Sequence, residues 1–227
     1  MLIAVLPPVA VLGGTFDPVH YGHLRFADDV RRALRLAELR LIPAGDPPHR
    51  EGPAASAGDR LAMLRLAVAE FPGLVVDERE LHRSGKSFTV LTLLELRRED
   101  AQRPLLLLLG ADAFRGLPTW HRWREIFALA HVVVVARPGV APAPELPEPL
   151  AAEWKARLVR DPAVLFATPA GAIFEQPVSP QPIAATAIRA QLMLGAEGRL
   201  AVSGLLPASV LAYIDRHHLY TNPTDAP

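Results

Sequence analysis

The sequence predicts an α/β domain built on a mostly parallel sheet. Three observations carry that expectation. Short apolar runs at residues 9–12, 105–109 and 131–136 have the length of strands buried on both faces. Segments with apolar residues at helical spacing lie between them, as at Leu24, Ala27, Val30 and Leu34. Strand and helix alternate along the chain, the pattern that crossover connections in a parallel sheet require.

Composition narrows the class. The 227 residues suffice for one such domain, read here as 1–227, and half of them are apolar. Lys plus Arg equals Asp plus Glu, 24 each, which argues against a nucleic-acid or anionic-membrane surface. There is no Cys, so disulfide and thiolate chemistry are excluded. Residues 1–7 are apolar without the basic region of a secretory signal, and read as a loose extension. No run of about twenty apolar residues suggests a membrane span. A cytoplasmic protein is expected.

The first strand runs into Gly13-Gly14, and the first helix starts after Gly22. Glycines let a bound group approach the backbone with no side chain between. A helix start offers unpaired N–H groups and the positive end of a dipole, which suits a phosphate. His20 and His23 flank Gly22 at that start, where paired imidazoles could act on phosphate anions. The stretch lacks the G-x-G-x-x-G of a dinucleotide site and the Gly-Lys-Ser/Thr of a P-loop.

Residues 38–43 read as a strand and 44–58 as a long loop. His49 and Arg50 follow the stiff Pro47-Pro48, either aimed at a substrate phosphate or simply solvated. Asp59 is expected to N-cap a helix with Leu61, Leu64, Val68 and Phe71 on its buried face. After a strand at 74–76 and a polar turn, Thr89 opens a helix reaching about Glu99. That start could hold a carboxylate, or Thr89 could merely cap it.

The strand at 105–109 ends at Gly110-Ala111-Asp112, and ligands bind at such carboxyl ends in open α/β sheets. Asp112 is placed for ribose hydroxyls or for helix capping. Trp120, Trp123 and Phe127 share a helical face, with Trp120 the first helical residue, near the strand-end rim. A flat aromatic ligand stacking there would gain about 0.5–1.5 kcal/mol beyond buried area. A strand at 131–136, a proline-rich loop at 138–149, a helix at 150–160 and short strands at 164–166 and 172–174 follow. Thr186 is expected to cap a helix that carries Arg189 near its start, a second phosphate-suited end. A last helix spans 207–218, and 222–227 read as a disordered tail.

The stretch GGTFDPVHYGHL at 13–24 resembles the H-x-G-H signature of the nucleotidylyltransferases, in the form of the nicotinate-mononucleotide adenylyltransferase branch. Further landmarks follow in family order: Pro-Pro-His-Arg at 47–50, Asp-Glu-Arg-Glu-Leu at 77–81, Ser-Phe-Thr at 87–89 and Leu-Gly-Ala-Asp at 109–112. Pro-Thr-Trp at 118–120, Arg-Pro-Gly at 137–139, Ile-Ala-Ala-Thr-Ala-Ile-Arg at 183–189 and the ending Tyr213-Ile214 … Leu219-Tyr220 complete the set.

The resemblance implies a Rossmann-like sheet with helices on both faces. It implies adenylyl transfer from ATP to nicotinate mononucleotide, with Mg²⁺ and no covalent intermediate; oligomer formation is left open. His20, His23 and Arg189 would be catalytic. Gly14, Thr15, Phe16, Gly110, Asp112, Thr186 and Ile188 would bind ATP. His49, Arg50, Phe88, Thr89 and Trp120 would bind the mononucleotide. Two positions depart from the family pattern: Ala184 replaces a Ser, and Leu91 replaces an Asp. Phosphopantetheine adenylyltransferase shares the first motif but lacks the Trp120 and Pro-Pro-His-Arg landmarks. A non-catalytic nucleotide-binding module and a metal hydrolase using the two histidines are the readings from other classes.

Overall fold

Five consecutive leucines, Leu105 to Leu109, form the middle of the molecule, because both faces of their strand are covered. In the computed structural model, which describes residues 7–48, 52–136, 146–178 and 181–221, seven strands form one sheet. They are β1 Val9–Gly14, β2 Leu39–Pro43, β3 Leu74–Val76, β4 Leu105–Gly110, β5 His131–Ala136, β6 Leu158–Val159 and β7 Ile173–Pro177. The order is β3-β2-β1-β4-β5-β7-β6, and every pairing is parallel.

The α-helices among the described residues are α1 Tyr21–Ala33, α2 Ala57–Val68, α3 Arg79–His82, α4 Thr89–Glu99, α5 Ala111–Arg115 and α6 Ile126–Leu129. Then come α7 Glu148–Arg157, α8 Val164–Ala167, α9 Ala185–Leu192, α10 Ala196–Val202 and α11 Ala208–Arg216. Successive side chains of a strand point to opposite faces. Leu105, Leu107 and Leu109 therefore pack with Leu93, Phe114 and Ile126 from α4, α5 and α6. Leu106 and Leu108 pack on the other face with Leu24, Met63 and Ile188 from α1, α2 and α9. The expected parallel sheet with helices on both faces is what the chain forms.

Several local expectations are corrected. Ser56, not Asp59, caps α2: its hydroxyl accepts the Asp59 N–H at 3.1 Å and donates to the Asp59 carboxylate at 2.6 Å. That start turns the buried face to Arg60, Met63, Leu64 and Ala67. The helix α4 runs from Thr89 to Glu99 as expected, but its N-cap is Phe88 and not Thr89; Ala184, not Thr186, is the N-cap of α9, with Thr186 inside the first turn. Trp120 does not open a helix. It ends a 3₁₀ turn at Leu117–Thr119, and Arg122, at φ 53°, breaks the path before Trp123. Residues 164–166 are helical, started by the Asp161 carboxylate accepting the Ala163 N–H at 2.9 Å. A three-residue apolar run has too little period to distinguish the two forms. The helix expected to reach 160 ends at Arg157, because Leu158 and Val159 pair with Ile173 and Phe174 as an edge strand.

Candidate functional site

The chain order reverses between β1 and β4, which are neighbours in the sheet but distant in sequence. Such a switch point opens a crevice at the strands' carboxyl ends. The β1–β4 register runs from Val9↔Leu105 only to Val11↔Leu107, whereas β1 stays paired with β2 as far as Gly14↔Pro43. The last residues of β1 and β4 thus part, and three cavities of roughly 300, 400 and 380 Å³ lie about their ends.

The cavity of about 400 Å³ holds the histidine turn. His20, His23 and Gly22 line it with Leu12, Gly110, Ile183 and Thr186. The two imidazoles stack with centroids 3.8 Å apart, and the Phe16 ring meets His23 edge-on at 5.1 Å. Gly22 is required by this packing: a Cβ there would lie 2.8 Å from the His20 ring and 3.3 Å from Ile183. His20 is 4% exposed, and burial pushes its imidazole down to about 4, so it is neutral at pH 7. Its Nδ1 has no hydrogen-bond partner among the described residues.

The turn before those histidines is held from behind. Asp17 Oδ2 accepts the Ala54 N–H at 2.8 Å, and Oδ1 accepts the Ala55 N–H at 3.1 Å and the Tyr220 hydroxyl at 2.7 Å. Arg189 Nη1 donates to the Asp17 carbonyl at 2.6 Å. Arg60, 1% exposed, donates to the Thr15 carbonyl at 2.8 Å and to the Gly45 carbonyl at 3.4 Å. One buried guanidinium therefore links the β1–α1 turn to the loop after β2. Thr15, Asp17, Thr186 and Arg189 line the cavity of about 380 Å³.

The cavity of about 300 Å³ lies on the α4 side of the sheet. Gly14, Thr15, Phe88, Thr89, Trp120 and His121 line it, above Val11, Leu107 and Leu109. The Phe88 and His121 rings approach to 4.4 Å. Its far wall is the loop after β2, joined to the polar turn by Ser87 Oγ, which accepts the Gly45 and Asp46 N–H groups at 2.9 and 3.2 Å. Gly45 cannot carry a side chain, since a Cβ would stand 2.4 Å from the Glu80 carbonyl.

His20, His23, Gly110 and Thr186 are thus brought together, and Arg189 lies in the next cavity, which shares Thr186. Gly14, Thr15, Phe88, Thr89 and Trp120 meet in the third, which shares Thr15. Phe16 is buried, with φ 50°; it lines none of the three cavities, and its ring reaches the site through its edge-on contact with His23. Asp112 and Ile188 are not brought in. The Asp112 side chain is 98% exposed and paired with Arg115, and Ile188 is buried in the core with its N–H on the Ala184 carbonyl. His49, Arg50 and the Arg137-Pro138-Gly139 landmark lie outside the described residues.

Residues 11–191 match the family model described as cytidylyltransferase-like. A relative from Laribacter hongkongensis, named "Probable nicotinate-nucleotide adenylyltransferase", is 51% identical over 227 residues, covering 99% of this chain and 100% of its own. The chain belongs to the nicotinate-nucleotide adenylyltransferase family. A second relative of that name, from Halorhodospira halophila, is 53% identical and covers 90% of this chain and 91% of its own. The solved nicotinic acid mononucleotide adenylyltransferase of Plasmodium falciparum, complexed with NaAD, shares the fold at TM-score 0.72 and 13% identity. That likeness covers 95% of this chain and 98% of the other.

Within this adenylyltransferase site, sequence reasoning assigned no role to Asp17, Arg60 or Tyr220. Asp17 stands inside the first motif and Tyr220 inside the last landmark, so position could have flagged both. Arg60 gave no signal, because one arginine in a helix normally faces water.

Proposed function

We infer that this chain transfers the adenylyl group of ATP to nicotinate mononucleotide, giving nicotinate adenine dinucleotide and pyrophosphate in NAD biosynthesis. The observation that supports it is the stacked His20–His23 pair lining the cavity of about 400 Å³, with Arg189 in the next cavity, which shares Thr186. A phosphate oxygen of the mononucleotide attacks the α-phosphorus of ATP. The bond from that phosphorus to the bridging oxygen breaks, and pyrophosphate leaves with the electron pair. Such transfer needs positioning and charge stabilisation rather than a protein nucleophile.

In this reading His20 and His23 donate to the α and β phosphates as charge moves onto the leaving group. Arg189 and Thr186 hold the β and γ end, and Gly14, Thr15 and Gly110 line the ATP path through their backbone. On the other side Trp120 and Phe88 flank the pyridine, and the α4 start at Thr89 receives its carboxylate; His49 and Arg50 are assigned to the mononucleotide phosphate. Among the described residues no group of three His, Asp or Glu side chains could hold a metal. A Mg²⁺ ion arriving with ATP would supply charge neutralisation at its phosphates. No described helix is long and apolar enough to cross a membrane. We place the reaction in the cytoplasm, with ATP and the mononucleotide as partners and no nucleic acid.

The test is pyrophosphate release from ATP and Mg²⁺ with nicotinate mononucleotide, nicotinamide mononucleotide or phosphopantetheine in parallel. Release with the first is expected; its absence with every acceptor would leave a binding module. His20→Ala should cut turnover by about a hundred- to a thousandfold, the cost of a well-aimed donor, with folding intact.

A further inference from the structure

The cavity that holds Thr89 and Trp120 has a carboxylate in its wall. Glu80 of α3 is 8% exposed and lines it. Glu80 Oε1 accepts the hydroxyl of Thr92 at 2.5 Å, and Thr92, 3% exposed, lines the same cavity. Arg83 stands behind them. Its Nη2 donates to Thr92 Oγ1 at 3.1 Å and lies 3.8 Å from Glu80 Oε1, while Nη1 pairs with Glu95 at 2.9 Å. A single guanidinium is thus divided between two carboxylates.

A carboxylate in this wall is a liability for a site that receives a second carboxylate. Bringing an anion beside a buried like charge is costly, whereas a neutral amide of the same shape escapes the cost. Thr89 and Thr92 are three apart on α4, so they are neighbours on one helix face, with Cβ atoms about 5–6 Å apart. Glu80, bonded at Thr92, therefore acts at short range on a ring substituent held at Thr89. The rings of Phe88 and Trp120 meet acid and amide through the pyridine that both share, and so separate the two poorly.

We propose that Glu80 and Arg83 together set the discrimination between acid and amide mononucleotides, Arg83 offsetting the Glu80 charge so that the acid is admitted. The proposal rests on the adenylyl-transfer reading above. Neither residue touches the reacting atoms; both act through the field at the pyridine substituent.

The experiment compares kcat/KM for nicotinate and nicotinamide mononucleotide in the wild type, Glu80→Gln, Arg83→Gln and Arg83→Lys. Glu80→Gln should raise the acid-to-amide ratio by about tenfold, and Arg83→Gln should lower it by a similar factor. Arg83→Lys, which keeps the charge, should stay near the wild-type ratio. Parallel loss with both substrates, or ratios within twofold of wild type, would overturn the assignment. Should Glu80→Gln fold poorly, Arg83→Gln decides alone, since that side chain is 15% exposed and better tolerated. If the wild type turns over neither mononucleotide, the adenylyl-transfer reading fails by itself. The Glu80–Arg83 assignment is then decided by calorimetric binding of the same two mononucleotides to the same variants. A shifted affinity ratio supports it; an unshifted one, or no binding, overturns it.

Discussion

At the scale of single residues, the burial of His20 is what gives this site its pH behaviour. Its pKa falls from 6.5 to about 4 because the ring is desolvated. The unfolded chain therefore binds more protons than the folded one between those values. Stability is full above pH 6.5 and declines as pH drops through the window, by about 3 kcal/mol at most. A triphosphate beside the ring favours the imidazolium, so ATP binding should take up a proton at about pH 5.5. Calorimetry in buffers of differing ionisation heat reads that uptake; heats independent of buffer would refute it. The motif residues were legible because two histidines, a glycine turn and a helix start fall in twelve residues. Arg60 was not: its burial depends on Ser56 starting α2 and turning the helix so that the guanidinium faces two loop carbonyls.

Elements divide by how much of their pattern is local. The buried strands β1, β4 and β5 were readable from apolar runs alone, since a strand covered on both faces needs nothing else. The short pieces were not. Residues 158–159 became a strand only because β7 offers an edge, and 164–166 became a helix through one Asp161 contact. β5 also carries a histidine with no part in the site. His131, fully buried at the amino end of the strand, accepts the Ala172 N–H at Nδ1 at 3.1 Å and donates from Nε2 to the Thr168 carbonyl at 2.8 Å. It fastens β5 to the segment before β7. His131→Ala leaves the buried Ala172 N–H unpaired and opens a cavity, so stability should fall by about 2–4 kcal/mol. A lower urea midpoint with kcat within twofold of wild type is the expected result; lost activity in the folded variant would contradict it.

Across the whole molecule, the end of the chain returns to its beginning. Tyr220 reaches back to Asp17, and Tyr213 of α11 donates to Asp59 of α2 at 3.0 Å. Burial, then the Asp17 hydrogen bond and charge, push the Tyr220 phenol far up, so it remains a proton donor at any working pH. Tyr220→Phe removes that donor while Ala54 and Ala55 still hold Asp17. A loss of about 1 kcal/mol in stability is expected. A several-fold drop in kcat should accompany it as the β1–α1 turn loosens. Unchanged kcat in a destabilised variant would confine Tyr220 to the fold. Such closures between distant segments leave no period or spacing in the sequence, which is why the topology class could be foreseen and these ties could not. The early parting of β1 from β4 reaches furthest. It leaves a chamber on either side of one sheet, joined among the described residues by a third cavity that shares Thr15 with one and Thr186 with the other. On the adenylyl-transfer reading proposed above, the two reactants load from opposite sides and either can arrive first. On that same reading the joined dinucleotide would lie across that junction, held from both flanks, and its release would be the slow event.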